Sequence, residues 1–308
     1  MTARIRSVGF NTGDVGGDLD RLAAQLDHMG EIGCDGAEIT AIGLDAVVAC
    51  RLVPQRVARV REIMAARPLA YSLHAPIAVN LMDEAHRALQ KRAFAASLDL
   101  AAEIGAAVVV VHPGRCAPRD LLDRGEALLA MEREALAEMA ERARALGVRI
   151  AYENMSPNRR IVAGTETSYA LDPARLAAQI AALGLPEVIA CLDVSHAQQG
   201  ALLWGFDMVR ACAALGPHVG HIHFSDSTGV PATITWDREG ERHWFGVGDM
   251  HAPPGWGAID FDALAAALDV TPDTRIVIEL KPNYRVHAEA ETLAAARAFG
   301  ARLDGANA

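Results

Sequence analysis

The feature that most constrains the fold of this 308-residue chain is an alternation, repeated eight times, of short apolar, β-branched runs with longer segments rich in alanine and leucine. This rhythm is typical of βα units, whose strands form a parallel sheet. The predicted strands are residues 7–10, 37–40, 69–73, 107–111, 148–152, 188–192, 219–222 and 275–278. Eight such units predict an α/β fold, a (β/α)8 TIM barrel.

The segments between the predicted strands indicate helices, for instance at residues 84–104 and 121–146. Their alanine content favours helix formation and close packing against a barrel wall. A hydrophobic fraction of 51% allows one large core, and no internal repeat, low-complexity tract or linker divides the chain. We therefore expect residues 1–308 to form a single domain. The longest irregular stretch, residues 225–257, contains three tryptophans and is predicted to be a functional loop.

Composition and charge exclude several classes of protein. The net charge of -10 argues against a broad nucleic-acid interface, which normally gathers lysine and arginine on one face. Neither a signal-peptide core nor an apolar run of roughly 18 residues is present, so we expect a cytoplasmic protein without a membrane span. The cysteines lack a CxxC pair and are predicted to be reduced, structural thiols. They are Cys34, Cys50, Cys116, Cys191 and Cys212.

Ionisable side chains stand at the carboxyl ends of six successive predicted strands. They are His74 in YSLH, His112 in VVVVH, Glu153 in IAYE, Asp193 in IACLD, His223 in GHIH and Glu279 in IVIE. Three further groups follow nearby in the sequence, namely His196, Asp249 and His251. In a TIM barrel the carboxyl ends of the strands form the face that carries the active site. The nine side chains are therefore expected to converge.

Each of these residues has an ordinary structural explanation when taken alone. A buried histidine is usually structural, and an aspartate after a strand often caps the next helix. Nine carboxylates and imidazoles at one barrel mouth are costly to bury unless they are paired or bound to a metal. The constellation therefore predicts a divalent-metal site. His221 should face the same side as His223 and support the site, and the remaining histidines are expected at the surface. These are His28, His86, His218, His243 and His287.

Several segments, taken in order, resemble a known family. They are LHAPIAVNL, VVVHPG, YENM, CLDVSHAQQG, HIHFSDS, GDMHAPPGWGAIDF and IELKPN. They are similar to the xylose isomerase-like TIM barrel superfamily, which includes sugar-phosphate isomerases and epimerases and the endonuclease IV-like AP endonuclease family 2. The segments CLDVSHA and DMHxxxGxG are the most specific, and they look most like the endonuclease IV branch.

Resemblance to the endonuclease IV branch implies three zinc ions held by five histidines, two aspartates and two glutamates. Carried over by motif, the ligands are His74, His112, Glu153, Asp193, His196, His223, Asp249, His251 and Glu279. All nine positions hold the residue type that the motif requires. In this hydrolytic hypothesis Glu153 bridges two metals and Glu279 orients the attacking water, while the metals clamp a phosphoester.

The isomerase and epimerase branch implies a smaller metal site. One ion would be held by Glu153, Asp193, His223 and Glu279, and His196 would touch the substrate. Glu153 and Glu279 would then act as an acid/base pair that moves a proton between adjacent carbons. The residues that distinguish the two hypotheses are His74, His112, Asp249 and His251, which a mononuclear isomerase does not need as ligands. They favour the multinuclear hypothesis. In either case the expected catalytic residues are Glu153, Glu279 and His196.

The loops do not match those of a DNA-repair enzyme. Such endonucleases penetrate the duplex with Arg, Gln and aromatic side chains, whereas the loop AIGLDAVVACRLVP after the second strand has no aromatic residue and little positive charge. A small sugar-like or phosphorylated substrate is therefore expected rather than nucleic acid. Candidate phosphate-binding residues are Arg115, Arg159, Arg160, Arg238, Arg242 and Lys281, although solvated surface charges explain them equally well. Trp236, Trp244 and Trp256 either wall a pocket or pack the long loop.

The sequence thus predicts a divalent-metal-dependent enzyme, first of all a multinuclear, zinc-type hydrolase of a phosphoester or a related small molecule. The alternative is a mononuclear sugar or sugar-phosphate isomerase or epimerase, and an abasic-site DNA endonuclease ranks third. Imidazole-rich sites favour zinc, with up to three ions expected, and Mn, Mg, Co or Fe are the alternatives. An oligomer is compatible with the sequence.

Overall fold

A closed barrel of eight parallel strands forms the centre of the structure, a computed structural model that describes residues 4–231 and 244–305. The barrel strands, numbered in chain order, are β1 (Ile5–Asn11), β2 (Gly36–Thr40), β5 (Ala70–His74), β6 (Val108–Val111), β7 (Arg149–Glu153), β8 (Val188–Asp193), β9 (Val219–Phe224) and β10 (Thr274–Ile278). Each strand pairs with its neighbours in chain order, and β1 closes the ring by pairing with both β2 and β10. The predicted TIM barrel is confirmed.

All eight predicted strands are present, and their ends differ by at most two residues from those expected. The loop after β2 also contains a small antiparallel hairpin, formed by β3 (Val47–Val48) and β4 (Arg51–Leu52). The sequence did not predict this hairpin, because strands of two residues are too short to produce a hydrophobic period.

Helices surround the barrel. They are α1 (Leu19–Glu31), α2 (Pro54–Ala65), α3 (Arg87–Ile104), α4 (Pro118–Leu146), α5 (Arg159–Val162), α6 (Pro173–Leu183), α7 (Val194–Trp204), α8 (Met208–Leu215), α9 (Phe261–Ala267) and α10 (Pro282–Gly305), with 3-10 turns at Tyr169–Leu171 and Gly216–His218. Proline starts α4, and the left-handed Gly147 ends it, as is common at helix termini. Within the described ranges no helix has the length and apolarity that crossing a membrane requires.

Close contact between β1 and β2 depends on glycine. Gly9 pairs with Gly36 across the two strands. A Cβ atom on Gly9 would lie 1.7 Å from the carbonyl oxygen of Gly36, so no other residue fits without moving the backbone. The first and second strands can therefore approach closely enough to complete the ring.

The interior of the barrel changes character along its axis. Alternate side chains of a strand point inward, so Val108 and Val110 of β6 lie inside, and they pack with Ala151, Ile189 and Cys191 in a small apolar cluster. The next inward positions, at the carboxyl ends of the strands, are ionisable. The apolar cluster therefore forms the base on which the polar site stands.

A buried carboxylate on α4 ties the helix layer to the strand ends. Glu132 Oε1 accepts hydrogen bonds from Tyr152 Oη (2.5 Å) and from the main-chain N–H of Gly114 (2.6 Å). Its Oε2 accepts from Tyr169 Oη (2.7 Å) and Gln179 Nε2 (3.0 Å). Burial raises the pKa of Glu132, although these four donors oppose that rise. One side chain thus holds four separate segments together.

Replacing this carboxylate should destabilise the fold. We expect Glu132→Ala to lower the free energy of unfolding by about 3 to 5 kcal/mol, because it removes the acceptor of four buried donors, of which Gln179 Nε2 keeps a second acceptor, the carbonyl oxygen of Leu129. Urea unfolding followed by circular dichroism measures the change. Glu134→Ala on the same helix is the matched control, since Glu134 is 65% exposed and pairs with Arg87 at the surface. Equal losses in the two variants would contradict the role of Glu132.

A candidate metal centre at the carboxyl ends of the strands

All nine residues that the sequence predicted for the site lie together at the carboxyl end of the barrel. Three of them, His74, Glu153 and Asp193, are the last residues of their strands, and His223 is the penultimate residue of β9. His112 and Glu279 directly follow β6 and β10. His196 lies in the first turn of α7, and Asp249 and His251 lie on the loop between β9 and α9. Contacts between their nitrogen and oxygen atoms connect all nine.

Glu153 is the central residue of the site. Its side chain is 1% exposed, and four imidazoles surround it. The Nε2 atoms of His112 and His74 lie 3.1 and 3.4 Å from Glu153 Oε2. The Nδ1 atoms of His223 and His196 lie 3.1 and 3.3 Å from Glu153 Oε1. One carboxylate therefore joins residues from four different βα units.

Main-chain carbonyl groups fix the proton position on two of these histidines. His74 Nδ1 lies 2.8 Å from the carbonyl oxygen of Ala75, to which it must donate. When His74 is neutral, its Nε2 therefore presents a lone pair to the Glu153 carboxylate. A lone pair and a carboxylate oxygen repel each other unless a proton or a metal cation lies between them. The arrangement calls for a cation at this point.

His196 shows the same arrangement on the other side of Glu153. Its Nδ1 lies 2.9 Å from the carbonyl oxygen of Asn154, so its Nε2 faces Asp249 Oδ1 (3.5 Å) and Asp193 Oδ2 (3.6 Å). Asp193 serves two purposes, because its Oδ1 caps α7 by accepting from the main-chain N–H of His196 (2.7 Å). The helix-cap explanation of Asp193 is therefore correct for one oxygen, and the other oxygen faces the site.

Glu38 on β2 is a buried member of the site that the sequence analysis missed. Its Oε1 lies 3.1 Å from His223 Nε2, and its Oε2 accepts from His221 Nε2 (2.9 Å) and Ser72 Oγ (2.9 Å). Glu38 thereby turns His223 so that Nδ1 faces Glu153. The available signal was an acidic residue at an inward position of an otherwise apolar strand, two residues before the strand end.

The long loop after β9 supplies the outer edge of the site. His251 Nε2 lies 2.8 Å from Asp249 Oδ2, and its Nδ1 lies 3.5 Å from Glu279 Oε2. Gln199 Nε2 donates to Asp249 Oδ1 over 3.2 Å. His251 has a φ of +43°, a left-handed backbone conformation that is uncommon for residues other than glycine. In this conformation its imidazole faces Asp249 and Glu279.

The electrostatics of the site favour positive charge. Burial lowers the pKa of His74, but the carboxylate of Glu153 outweighs burial and raises this pKa to about 9. The pKa of His196 is likewise raised well above the usual value, because Asp193 and Asp249 outweigh burial, and that of His223 is raised because Cys191 and nearby carboxylates outweigh burial. Burial lowers the pKa of His112 and raises the pKa of Asp193 to about 6. The surroundings therefore favour protons on three of the four imidazoles around Glu153, and bound metal ions would replace those protons.

The donor set suits divalent cations. Glu153 Oε2 and Asp193 Oδ2 are buried and accept no hydrogen bond from residues 4–231 or 244–305. The nitrogen and oxygen donors form groups of three whose atoms lie within 4.8 Å of one another. One group is His74, His112 and Glu153, a second is Glu153, Asp193 and His196, and a third is His196, Asp249 and His251. Imidazole and carboxylate groups are the ligands that zinc takes in catalytic sites.

The other residues singled out in the sequence are dispersed. His28, His86 and His287 are exposed and His218 is half-buried, in broad agreement with a surface position. Arg115 donates to the carbonyl oxygen of Ile77, and Arg159 and Arg160 are exposed on α5. Trp244 and Trp256 are largely exposed. Trp236, Arg238, Arg242 and His243 lie outside the described residues. All five cysteines are free thiols.

Comparison with solved structures places the fold among sugar epimerases and endonucleases. A D-tagatose 3-epimerase-like protein is 19% identical, with a TM-score of 0.69 over 97% of this chain and 100% of that chain. Endonuclease IV from Thermus thermophilus is 23% identical, with a TM-score of 0.59 over 95% and 98% of the chains. The TTHB071 protein of the same organism, soaked with ZnCl2, is 24% identical, with a TM-score of 0.60 over 95% and 97%. At these identities the likeness shows a shared fold.

The sequence itself carries the family assignment. No curated protein shows significant sequence similarity to the chain. A family model described as xylose isomerase-like TIM barrel matches residues 26–301, which include all nine residues of the site and Glu38. The resemblance of the motifs is thereby confirmed at the level of the superfamily, and the chain belongs to the xylose isomerase-like TIM barrel family.

Proposed function

We propose that this protein is a multinuclear metal-dependent hydrolase that cleaves a phosphoester in a small phosphorylated or sugar-like molecule. One observation carries the proposal. Carboxylate oxygens of Glu153, Asp193 and Glu279 lie within 3.8 Å of His223 Nδ1, so these four residues would suffice for a single metal ion. Yet further metal-type donors flank them on both sides. On one side stand His74 and His112, and on the other stand His196, Asp249 and His251.

The flanking donors are difficult to explain in a mononuclear site. His74 and His112 both direct Nε2 at Glu153 Oε2, an oxygen that receives no hydrogen bond from the described residues. Imidazoles that only bound substrate hydroxyl groups would not need to converge on a buried carboxylate. More than one ion, held by donors on both sides of Glu153, would account for this convergence.

Zinc is the first choice of metal, because the site is rich in imidazole, and Mn, Mg, Co or Fe remain alternatives. The structure of the TTHB071 protein soaked with ZnCl2 is consistent with this choice. When bound, such ions act as Lewis acids, lowering the pKa of water and stabilising the charge on a phosphoester and its leaving oxygen.

The chain's own residues would position the reactants. Glu279 Oε1 accepts a hydrogen bond from Asn11 Nδ2 (3.1 Å), which fixes the carboxylate at the mouth of the barrel. The side chain is 13% exposed, whereas Glu153 is enclosed, so Glu279 can reach an attacking water and accept its proton. The buried Glu153 would bridge metals, and His196 would complete the group formed with Asp249 and His251.

A small substrate suits the loops at the barrel mouth. The segment after β2 folds back as the β3–β4 hairpin, and it contains no aromatic side chain that would enter a duplex. We therefore propose a sugar-like or phosphorylated small molecule as the substrate, and no nucleic-acid partner.

Isomerisation or epimerisation of a sugar or sugar phosphate is the second candidate. The TM-score is higher for the D-tagatose 3-epimerase-like protein than for endonuclease IV. In addition, Glu153 Oε1 and Glu279 Oε2 both lie within 3.6 Å of His223 Nδ1, so two carboxylates face a common point. Such a pair suits proton transfer between neighbouring carbon atoms.

Metal content separates the two candidates. We expect the purified protein to contain about three divalent ions per chain, detected by elemental analysis and located by anomalous scattering at the three donor groups. A single ion bound by Glu153, Asp193, His223 and Glu279 would overturn the hydrolase proposal in favour of the isomerase.

Removal of His112 tests the same point by activity. We expect His112→Ala to reduce phosphoester hydrolysis by more than about 100-fold, because it removes one of the donors directed at Glu153 Oε2. Release of phosphate from p-nitrophenyl phosphate and epimerisation of a ketohexose are measured in parallel. His86→Ala is the control, since the exposed His86 side chain pairs with Asp83 away from the site. Hydrolysis at the wild-type rate in His112→Ala would refute the multinuclear mechanism.

Glu38 should act on the metal through His223. We expect Glu38→Gln to weaken zinc binding by about 10- to 100-fold, because an amide cannot accept hydrogen bonds from both His221 and His223 at its two ends. Competition with a chromophoric chelator measures the affinity, and circular dichroism checks the fold. Ser72→Ala removes another donor to Glu38 but leaves His223 in contact, and so should change the affinity little. Wild-type zinc affinity in Glu38→Gln would contradict this role.

A further inference from the structure

A cavity of about 780 Å³ opens beside the candidate metal centre. It lies between the β1–α1 connection, the exposed side of α1, the end of β2 and the β10–α10 connection. Two residues of the metal centre, His251 and Glu279, form part of its wall. Its volume is in the range of small-molecule sites, so it can hold a part of the substrate that extends away from the metals.

Three of the charged side chains on the cavity wall are paired with one another within the protein. Glu289 accepts from Arg285 Nε (2.5 Å) and from His28 Nε2 (2.6 Å). The Arg285 guanidinium also stacks 4.4 Å from the centre of the Phe10 ring. Asp14 Oδ1 accepts from the main-chain N–H of Gly16 (2.8 Å) in its own turn. The group formed by Glu289, Arg285 and His28 therefore needs no ligand, whereas the main-chain hydrogen bond leaves the negative charge of Asp14 in place.

Two cations on the cavity wall lack such a partner among the described residues. The side chains of Lys281 and Arg21 make no hydrogen bond or ion pair with any residue in 4–231 or 244–305. Lys281 follows Glu279 by two residues, and its main-chain N–H donates to the carbonyl oxygen of His251 (3.4 Å). It therefore lies next to the metal centre without a partner among the described residues, whereas Arg21 belongs to the part of the wall formed by α1.

Of the six cationic residues that the sequence suggested for phosphate binding, Lys281 has the right position. Arg115 donates to a main-chain carbonyl group, and Arg160 on α5 lies 3.9 Å from Glu166. Neither of these arginines lines the cavity. Lys281 does, and it lies next to both His251 and Glu279. The tertiary structure thus distinguishes Lys281 from surface charges that look equivalent in the sequence.

We propose that this cavity is a subsite for a second anionic group of the substrate, a phosphate or carboxylate distant from the bond that reacts, held by Lys281 and Arg21. The inference deepens the proposed function, on which it rests for the position of the reacting phosphoester. Metal ions would compensate the charge of that phosphoester, but a second anion requires its own cations. The favoured substrate class is a small polyol with an anionic group at each end.

Matched substrates test the subsite. Butyl phosphate and 1,4-butanediol bisphosphate differ only in the second phosphate group, and hydrolysis of both is measured as phosphate release by the zinc-loaded full chain. We expect wild-type kcat/KM to be at least about tenfold higher for the bisphosphate. Lys281→Met and Arg21→Met should each remove a large part of this preference. Arg160→Met is the control and should retain it, since that side chain is 77% exposed and lies outside the cavity.

Two results would overturn the proposal. One is the absence of any preference for the bisphosphate in the wild-type protein. The other is a preference that stays intact in the Lys281→Met/Arg21→Met double variant, when that variant has the zinc content and Tm of the wild type. Calorimetric binding of the same two compounds separates this inference from the proposed function. If neither ester is hydrolysed, the hydrolase proposal fails, yet tighter binding of the bisphosphate that disappears in the double variant would still support the subsite. Equal affinities would refute it.

Discussion

The structure of the site depends on the burial of one carboxylate, Glu153, among four imidazoles. A buried carboxylate is costly unless positive charge compensates it, and neutral histidines compensate only part of that charge. Main-chain carbonyl groups accept from Nδ1 of both His74 and His196, which leaves Nε2 of His74 to face Glu153 and Nε2 of His196 to face Asp193 and Asp249. The lone pairs that remain point towards carboxylates, and this makes the centre suited to cations.

The barrel produces this arrangement by geometry. Each strand delivers one side chain at its carboxyl end, and closure of the ring directs those side chains towards the axis. Contacts beneath the site fix their orientation. Glu38 holds His223 and His221, and Asp249 and Glu279 flank the imidazole of His251. The cluster is thus preorganised by these supporting contacts as well as by the strands themselves.

The surroundings of the cluster bear on substrate choice. The centre is open on the side formed by α1 and the β10–α10 connection, where Lys281 and Arg21 lack partners among the described residues. The side formed by the β3–β4 hairpin has no aromatic residue for penetrating nucleic acid. These features are the basis for our proposal of a compact anionic molecule, rather than a polymer, as the substrate. They also explain why the fold alone, shared with a sugar epimerase-like protein and an endonuclease, does not decide the reaction.

The sequence by itself determined the barrel, its eight strands and the nine strand-end and loop residues, because hydrophobic periodicity and residue type are local properties. For Glu38 it offered only an acidic residue at an inward strand position, because the importance of Glu38 comes from contacts with His221 and His223, which are distant from it in the chain. It also could not distinguish Lys281 from Arg160, since both are cations in loops or at helix ends. Only the tertiary structure decided these points, because pairing and burial depend on which distant segments meet when the ring closes.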